Sequence, residues 1–169
     1  MITLTVGRTW DGELLAPAAR STLRIGYDAD HLQIEVDAPY AGDPAPAGPP
    51  GPTDKLWEHE VVELFVLGAD QRYTEIELSP HGHHLGIRLE GVRNRVEVGF
   101  PMIFEATVAG DRWRGAARVA RALLPDPPLK CNAYRVSGTA PLRRYEAMVA
   151  VPGERPDFHR LDRFAPWLL

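Results

Sequence analysis

"EVVELFVLGADQRYTEIELSPHGHHLGIRLE", residues 60–90, decides the fold. Three runs in this region, 59–67, 72–79 and 83–90, alternate apolar and polar residues with the period of a β-strand. "GADQ" and "PHG" separate them. Pro80 ends one run, and Gly82 is free to take a positive φ. The three runs therefore read as an antiparallel meander. Side chains alternate across a strand, so parity sorts the faces. Val62, Leu64 and Val66 fall on one face, with Thr74, Ile76 and Leu78. By the same apolar match, His83, Leu85, Ile87 and Leu89 are assigned to that face. The other face is expected to gather Glu63, Glu75, Glu77, His84 and Arg88 among Phe65 and Tyr73, with His81 at its rim. Such a polar–aromatic mixture suits a shallow ligand surface. It equally suits a solvated face whose cross-strand pairs contribute a few tenths of a kcal/mol each.

The same period continues on both sides of the meander. "TLRIGY" (22–27) and "HLQIEVDA" (31–38) form a hairpin across "DAD". "MIFEATVA" (102–109) and "RWRGAARVA" (112–120) form another around Gly110 and Asp111. "CNAYRVSG" (131–138) and "RRYEAMVAV" (143–151) supply the last strands. No long helical stripe occurs; one helical turn is expected in 120–125 and another in 157–164. Many short strands with turn signals predict an all-β protein, an antiparallel β-sandwich that is jelly-roll-like, with one or two short helical turns. The 169 residues suit a single domain over 1–169, with a Pro/Gly-rich loop at 39–54 and a C-terminal strap at 152–169. Phe158 and Phe164 are expected to pin that strap.

Composition narrows the function classes. The net charge is −4 and no basic stripe occurs, which argues against nucleic acid. The single cysteine, Cys131, excludes an internal disulfide framework. No charged n-region precedes an apolar stretch, and no window spans a bilayer, so a cytoplasmic protein without membrane contact is expected. The oligomeric state stays open.

Three constellations carry candidate chemistry. His81, His83 and His84 surround a turn, but parity sends His83 and His84 to opposite faces, so no metal is expected there. Glu75 and Glu77 lie about 7 Å apart by the strand rise. Carboxyl pairs at such separations serve glycoside hydrolysis, and surface strands also carry them by chance. No nucleophile elbow and no phosphate-cradling glycine pattern occurs. In "RRYEAMVAVPGERPDFHRLDRF" (143–164), Arg144 and His159 are expected to complete the pocket of the meander, where an Arg would hold an anionic group.

"EVVELF" (60–65) followed by "YTEIELSPHG" (73–82) resembles the central signature of DOMON-like proteins, the β-sandwiches akin to family-nine carbohydrate-binding modules. "DRWRGAARVARALLP" (111–125) and "NAYRVSG" (132–138) resemble that group's later strands. "LWEHEVVELF" (56–65), "ELSPHGHHL" (77–85), "RRYEA" (143–147) and "PDFHR" (156–160) look like a conserved-hypothetical branch of it, the family numbered 0462. The resemblance covers about residues 20 to 165. It implies a sandwich that binds a ligand on a sheet face or at strand ends. Sugar-binding members clamp a glycan between two Trp rings and accept its hydroxyl hydrogen bonds with acidic or amide side chains. Of Trp10, Trp57, Trp113 and Trp167, only Trp57 lies beside the mixed face. Met102 and Met148 lie in no haem motif, and no cofactor is expected. The resulting expectation is a non-catalytic binding domain for a small polar ligand, a carbohydrate among the candidates. Its binding residues would be Trp57, Glu63, Tyr73, Glu75, Glu77, His81, His84, Arg88, Arg144 and His159. The alternatives are a hydrolase or lyase using His and Glu in the same pocket, and a protein-interaction domain using the 39–54 loop or a sheet edge.

Overall fold

The computed structural model describes residues 1–167. β1 (Ile2–Val6) and β2 (Arg8–Thr9) open the chain, and β3 (Ser21–Tyr27) and β4 (His31–Pro39) form the first hairpin. The meander runs through β5 (Val61–Leu67), β6 (Arg72–Leu78), β7 (His84–Glu90) and β8 (Arg95–Val98). β9 (Ile103–Ala109) and β10 (Arg112–Ala120) form the next hairpin. β11 (Lys130–Ser137), β12 (Arg144–Ala147) and the two-residue β13 (Ala165–Pro166) follow. The helical content is short 3₁₀ turns, among them Leu56–Glu58, Arg121–Leu123 and Leu161–Arg163.

The strands build two antiparallel sheets. One has the order β1-β3-β4-β10-β9, and the other β2-β12-β11-β5-β6-β7-β8, with β13 paired to β11. The expected antiparallel β-sandwich is the observed architecture. Among the described residues no helix is long and apolar enough to cross a membrane.

Two apolar layers hold the sheets. Leu23, Ile25, Ile34, Val36 and Trp113 of the first sheet meet Val62, Leu64, Val66, Ile76 and Leu78 of the second. A second layer lies on the outer side of the second sheet. There Val61, Phe65, Tyr73, Leu85, Ile87, Leu89, Tyr134 and Val136 are covered by Phe158, Leu161 and Phe164 of the strap. These three residues fall within the 152–169 segment expected to act as a strap, of which Leu168 and Leu169 lie outside the described residues. With cover on both faces, all seven residues of β5 are buried.

That double burial corrects one expectation. Leu78 pairs with His84, so the turn 79–83 has an odd number of residues and like parity faces like. Glu77 stands opposite Leu85 and Glu75 opposite Ile87. Thr74 stands opposite Arg88. Hence Leu85, Ile87 and Leu89 share the face of the carboxylates, while His84 and Arg88 lie on the other side of the sheet. The hydrophobic match misled because the outer face is apolar as well, beneath the strap.

The inner face of β7 carries Gly86, and Phe100 packs onto it. A Cβ at Gly86 would fall 2.3 Å from the Phe100 ring. Gly86→Ala is expected to cost about 1–3 kcal/mol in urea unfolding, as overpacking does. A Phe100→Leu change in that background should recover part of the loss. An unchanged unfolding midpoint would show that the ring does not bear on the backbone.

Candidate functional site

β5 and β6 place three glutamates side by side on the outer face. Glu63 and Glu77 are direct cross-strand partners, and Glu75 is two residues along from Glu77. They are 2%, 4% and 0% exposed, respectively, for Glu63, Glu75 and Glu77. Neither Glu77 oxygen, nor Oε2 of Glu75, meets a backbone N–H or a basic side chain. Buried carboxyls without donors resist ionisation. Burial pushes Glu63 well up from the usual carboxylate range, the Glu75 charge adds to it, and Arg143 opposes. Burial raises Glu77 well up too, reinforced by its two acidic neighbours. Glu75 rises to about 7, chiefly by burial; the adjacent Glu77 carboxyl and the guanidiniums of Arg95 and Arg93 restrain it. The three carboxyls thus titrate as interacting groups, the charge on one opposing ionisation of the next.

A pocket of about 220 Å³ opens above Glu63 and Glu75. One wall comes from the turn between β7 and β8 and from β8 itself. It carries Arg93 and Arg95, and Arg95 pairs with Leu89, which fixes it on the carboxylate face. The guanidinium of Arg95 sits 4.5 Å from the centre of the Trp57 ring, a cation–π contact. The Leu56–Glu58 turn presents Trp57, and Arg143 holds that turn by donating to the carbonyls of Trp57 (2.6 Å) and His59 (3.0 Å). The facing wall comes from Tyr145 of β12 and from the strap residues Asp157, Phe158 and His159.

Hydrogen bonds lock the strap wall. The Tyr73 hydroxyl accepts from the Arg93 backbone N–H (3.0 Å) and lies 2.7 Å from Nδ1 of His159. With the hydroxyl donating to Nδ1, the His159 proton sits on Nε2; with Nδ1 protonated, the same oxygen accepts from it. Burial, with help from Arg93, lowers His159 to about 4, so the ring is neutral at neutral pH. Arg93 also pairs with Asp157 at 2.6 Å, and the His159 backbone N–H donates to the same oxygen at 3.0 Å. Phe158 stacks on Tyr134 at 3.9 Å, and the Tyr134 hydroxyl donates to the Phe158 carbonyl.

Of the residues expected to bind ligand, Trp57, Glu63, Glu75 and His159 line this pocket. Tyr73 and Glu77 stand behind the lining, the one bonded to His159 and the other covered by its neighbours. The remaining four lie elsewhere. His84 faces the inter-sheet side, with its ring against Phe104. Arg88 pairs with Glu97 at 2.9 Å at the sheet edge. His81 bonds the Asp43 carbonyl of the Pro/Gly-rich loop. Arg144 is exposed beside a separate hollow with Tyr40 and Ser137. The three clustered histidines go to three different settings, since His83 meets the Thr53 hydroxyl at 2.7 Å. Trp10, Trp113 and Trp167 do not reach the pocket among the described residues, so Trp57 has no second Trp opposite it. Arg93, Arg95 and Tyr145 are among the lining residues that sequence reasoning missed.

The architecture and the pocket together describe an antiparallel sandwich with a ligand-sized hollow on one outer face. The same fold occurs in a Bacteroides uniformis protein provisionally described as carbohydrate-binding. The two match with a TM-score of 0.71 at 18% identity, over 86% of this chain and 76% of that one. It also occurs in a family 9 carbohydrate-binding module from Caldicellulosiruptor kristjanssonii, solved with cellotriose. There the TM-score is 0.53 at 10% identity, over 76% of this chain and 65% of that one. No family model matches the chain. The chain belongs to the UPF0462 family. It is 38% identical to the mouse UPF0462 protein C4orf33 homolog, over 94% of this chain and 87% of that one. It is 36% identical to the zebrafish homolog over 97% and 87%, and 35% identical to the human protein over 94% and 84%.

Proposed function

We propose that this protein is a DOMON-like, non-catalytic binding domain that takes a small polyhydroxylated ligand, a saccharide or the end of one, above Glu63 and Glu75. The Glu75 carboxyl, which lines the pocket while no protein N–H meets it, carries this reading. A buried acceptor without a donor is costly, and a ligand hydroxyl would satisfy it. The size agrees. At about 220 Å³ the hollow is smaller than drug-sized pockets of roughly 300–1,000 Å³ and suits one sugar ring. Titration of monosaccharides and cello-oligosaccharides, followed by calorimetry and by amide shifts, tests it. Saturable binding is expected, weakened about tenfold or more in Glu75→Gln, which loses a charge-assisted acceptor. Binding left untouched by that substitution, or no binding by any probe, would overturn the proposal.

A second reading has its own support. Glu75 near 7 beside carboxyls that hold their protons, with a neutral imidazole on the facing wall, is an arrangement suited to acid–base chemistry. On that reading the protein is a hydrolase or lyase. Turnover of a glycoside or uronide panel by the parent, lost in Glu75→Gln, would favour it over simple binding.

A further inference from the structure

The charge on the pocket walls says more about the ligand than the carboxyl floor does. Two cations line the pocket, Arg93 and Arg95. Arg93 is committed to Asp157 at 2.6 Å. Among the described residues Arg95 forms no ion pair within 4 Å and donates to no protein acceptor, although its charge acts on the Glu75 carboxyl through space. It is nevertheless held in place, 4.5 Å over the Trp57 ring, whose own turn is tied down by Arg143. Arg95 is solvent-exposed, so an oxyanion would displace only water from its donors, and a guanidinium held over a ring is a fork for one. The same hollow is lined by the nearly buried Glu75 carboxyl, which no protein N–H meets, an acceptor for a hydroxyl.

From this juxtaposition we infer that the pocket selects an acidic sugar, a hexuronate or related sugar acid, whose carboxylate pairs with Arg95 while its ring hydroxyls donate to Glu75 and Glu63. The inference rests on the saccharide reading above and specifies its ligand class. A monoanion matches the single unpaired cation. A phosphate dianion would place surplus negative charge beside Glu63 and Glu75, and an amine would face Arg95. The ring stays within the volume of the hollow, because the carboxylate replaces the hydroxymethyl group of a neutral hexose without lengthening the sugar.

The test compares glucuronate and galacturonate with glucose and galactose. Each is titrated at low ionic strength against the parent, Arg95→Gln and Arg88→Gln. Arg88 loses the same charge from the opposite side of the sheet, and so reports on long-range charge alone. The parent is expected to bind the acid about tenfold more tightly than its neutral counterpart. Arg95→Gln should bring that ratio close to one, the readout being the acid-to-neutral ratio within each protein rather than either affinity alone. Arg88→Gln should keep the preference. Equal affinity of acid and neutral sugar for the parent overturns the inference but leaves saccharide binding standing. So does a preference that survives Arg95→Gln, or one that falls as far in Arg88→Gln. If neither kind of sugar binds, the reading beneath it fails too.

Discussion

Glu75→Gln is expected to be more stable than the parent at pH 8, by about 3 kcal/mol, and close to it at pH 4. The Glu75 carboxyl ionises near 4.5 in an unperturbed setting and at about 7 in the folded protein, because burial disfavours its charged form. Between those values the folded state keeps a proton that the unfolded chain has released. The carboxyl's contribution is therefore fully present below pH 4.5 and is lost as pH rises to about 7. Gln holds the neutral form at every pH and removes the loss. Glu63 and Glu77 reinforce the trend, since removing a neighbouring charge eases both of their ionisations. His159 works in the opposite sense. Its ring is neutral in the fold down to about pH 4, while the unfolded imidazole takes a proton near 6.5, so this group stabilises as pH rises. The parent's own profile therefore superposes opposing slopes. Only the difference between parent and variant isolates the carboxyl. Urea titrations of both proteins from pH 4 to 8 give that difference, and a gap that does not grow with pH would refute the account. A stable sandwich has no structural need for Glu75 in this position. A carboxyl placed at such a cost accords with the proposed binding role, in which function and stability compete.

Much of this arrangement was legible beforehand, for identifiable reasons. Alternation and turn residues located the hairpins β3–β4 and β9–β10 and the meander β5–β6–β7, because each strand buries one apolar row, on the inter-sheet face except in β7, where it lies beneath the outer cover. Parity alone put Glu63, Glu75 and Glu77 on one face, and β5–β6 pairing does so. Parity failed at β7 because Leu85, Ile87 and Leu89 bury against a second layer, and strand-level patterning does not tell which of two buried faces is the inner one. Only the turn length, residues 79–83, decides it.

Arg93 and Arg95 were missed for a different reason. Arg93 lies in a turn with φ of 60°, where no periodic signal exists. β8 is a four-residue edge strand with little buried surface to shape its composition. A signal was nonetheless present. "GVRN" is turn-like and "RVEV" alternates, which extends the meander by one strand and puts Arg95 opposite Leu89. The strap wall was half legible: its aromatics announced a cover for the sheet, but the Tyr73–His159 bond joins residues 86 apart in sequence.

The other large effect concerns the buried ion network at the base of the Pro/Gly-rich loop. Arg135 of β11 pairs with Glu146, its cross-strand partner on β12, at 3.1 Å, and with Glu60 at 3.4 Å. All three side chains are nearly inaccessible, at 5%, 7% and 1% exposed for Arg135, Glu146 and Glu60. Arg135 also donates to the Pro39 carbonyl, while Glu60 accepts from the backbone N–H of Ala41 at 2.8 Å. The network thus anchors both the start of the loop and the segment leading into β5. Removing the cation strands two carboxylates in the interior, so Arg135→Met is expected to lose about 3–5 kcal/mol in chemical denaturation. Among the described residues the Glu146 carboxylate accepts only from Arg135, whereas Glu60 keeps its backbone donors. Adding Glu146→Leu to Arg135→Met should therefore recover a large part of the loss, and the two changes should be strongly non-additive in a double-mutant cycle. Amide exchange at Ala41 and Asp43 should rise in Arg135→Met before the sandwich itself opens, because their anchor on Glu60 is weakened. Since that loop leads into the turn presenting Trp57, ligand affinity should fall in step. A loss below about 1 kcal/mol, or additive effects of the two substitutions, would mean that packing rather than the ion network holds the loop.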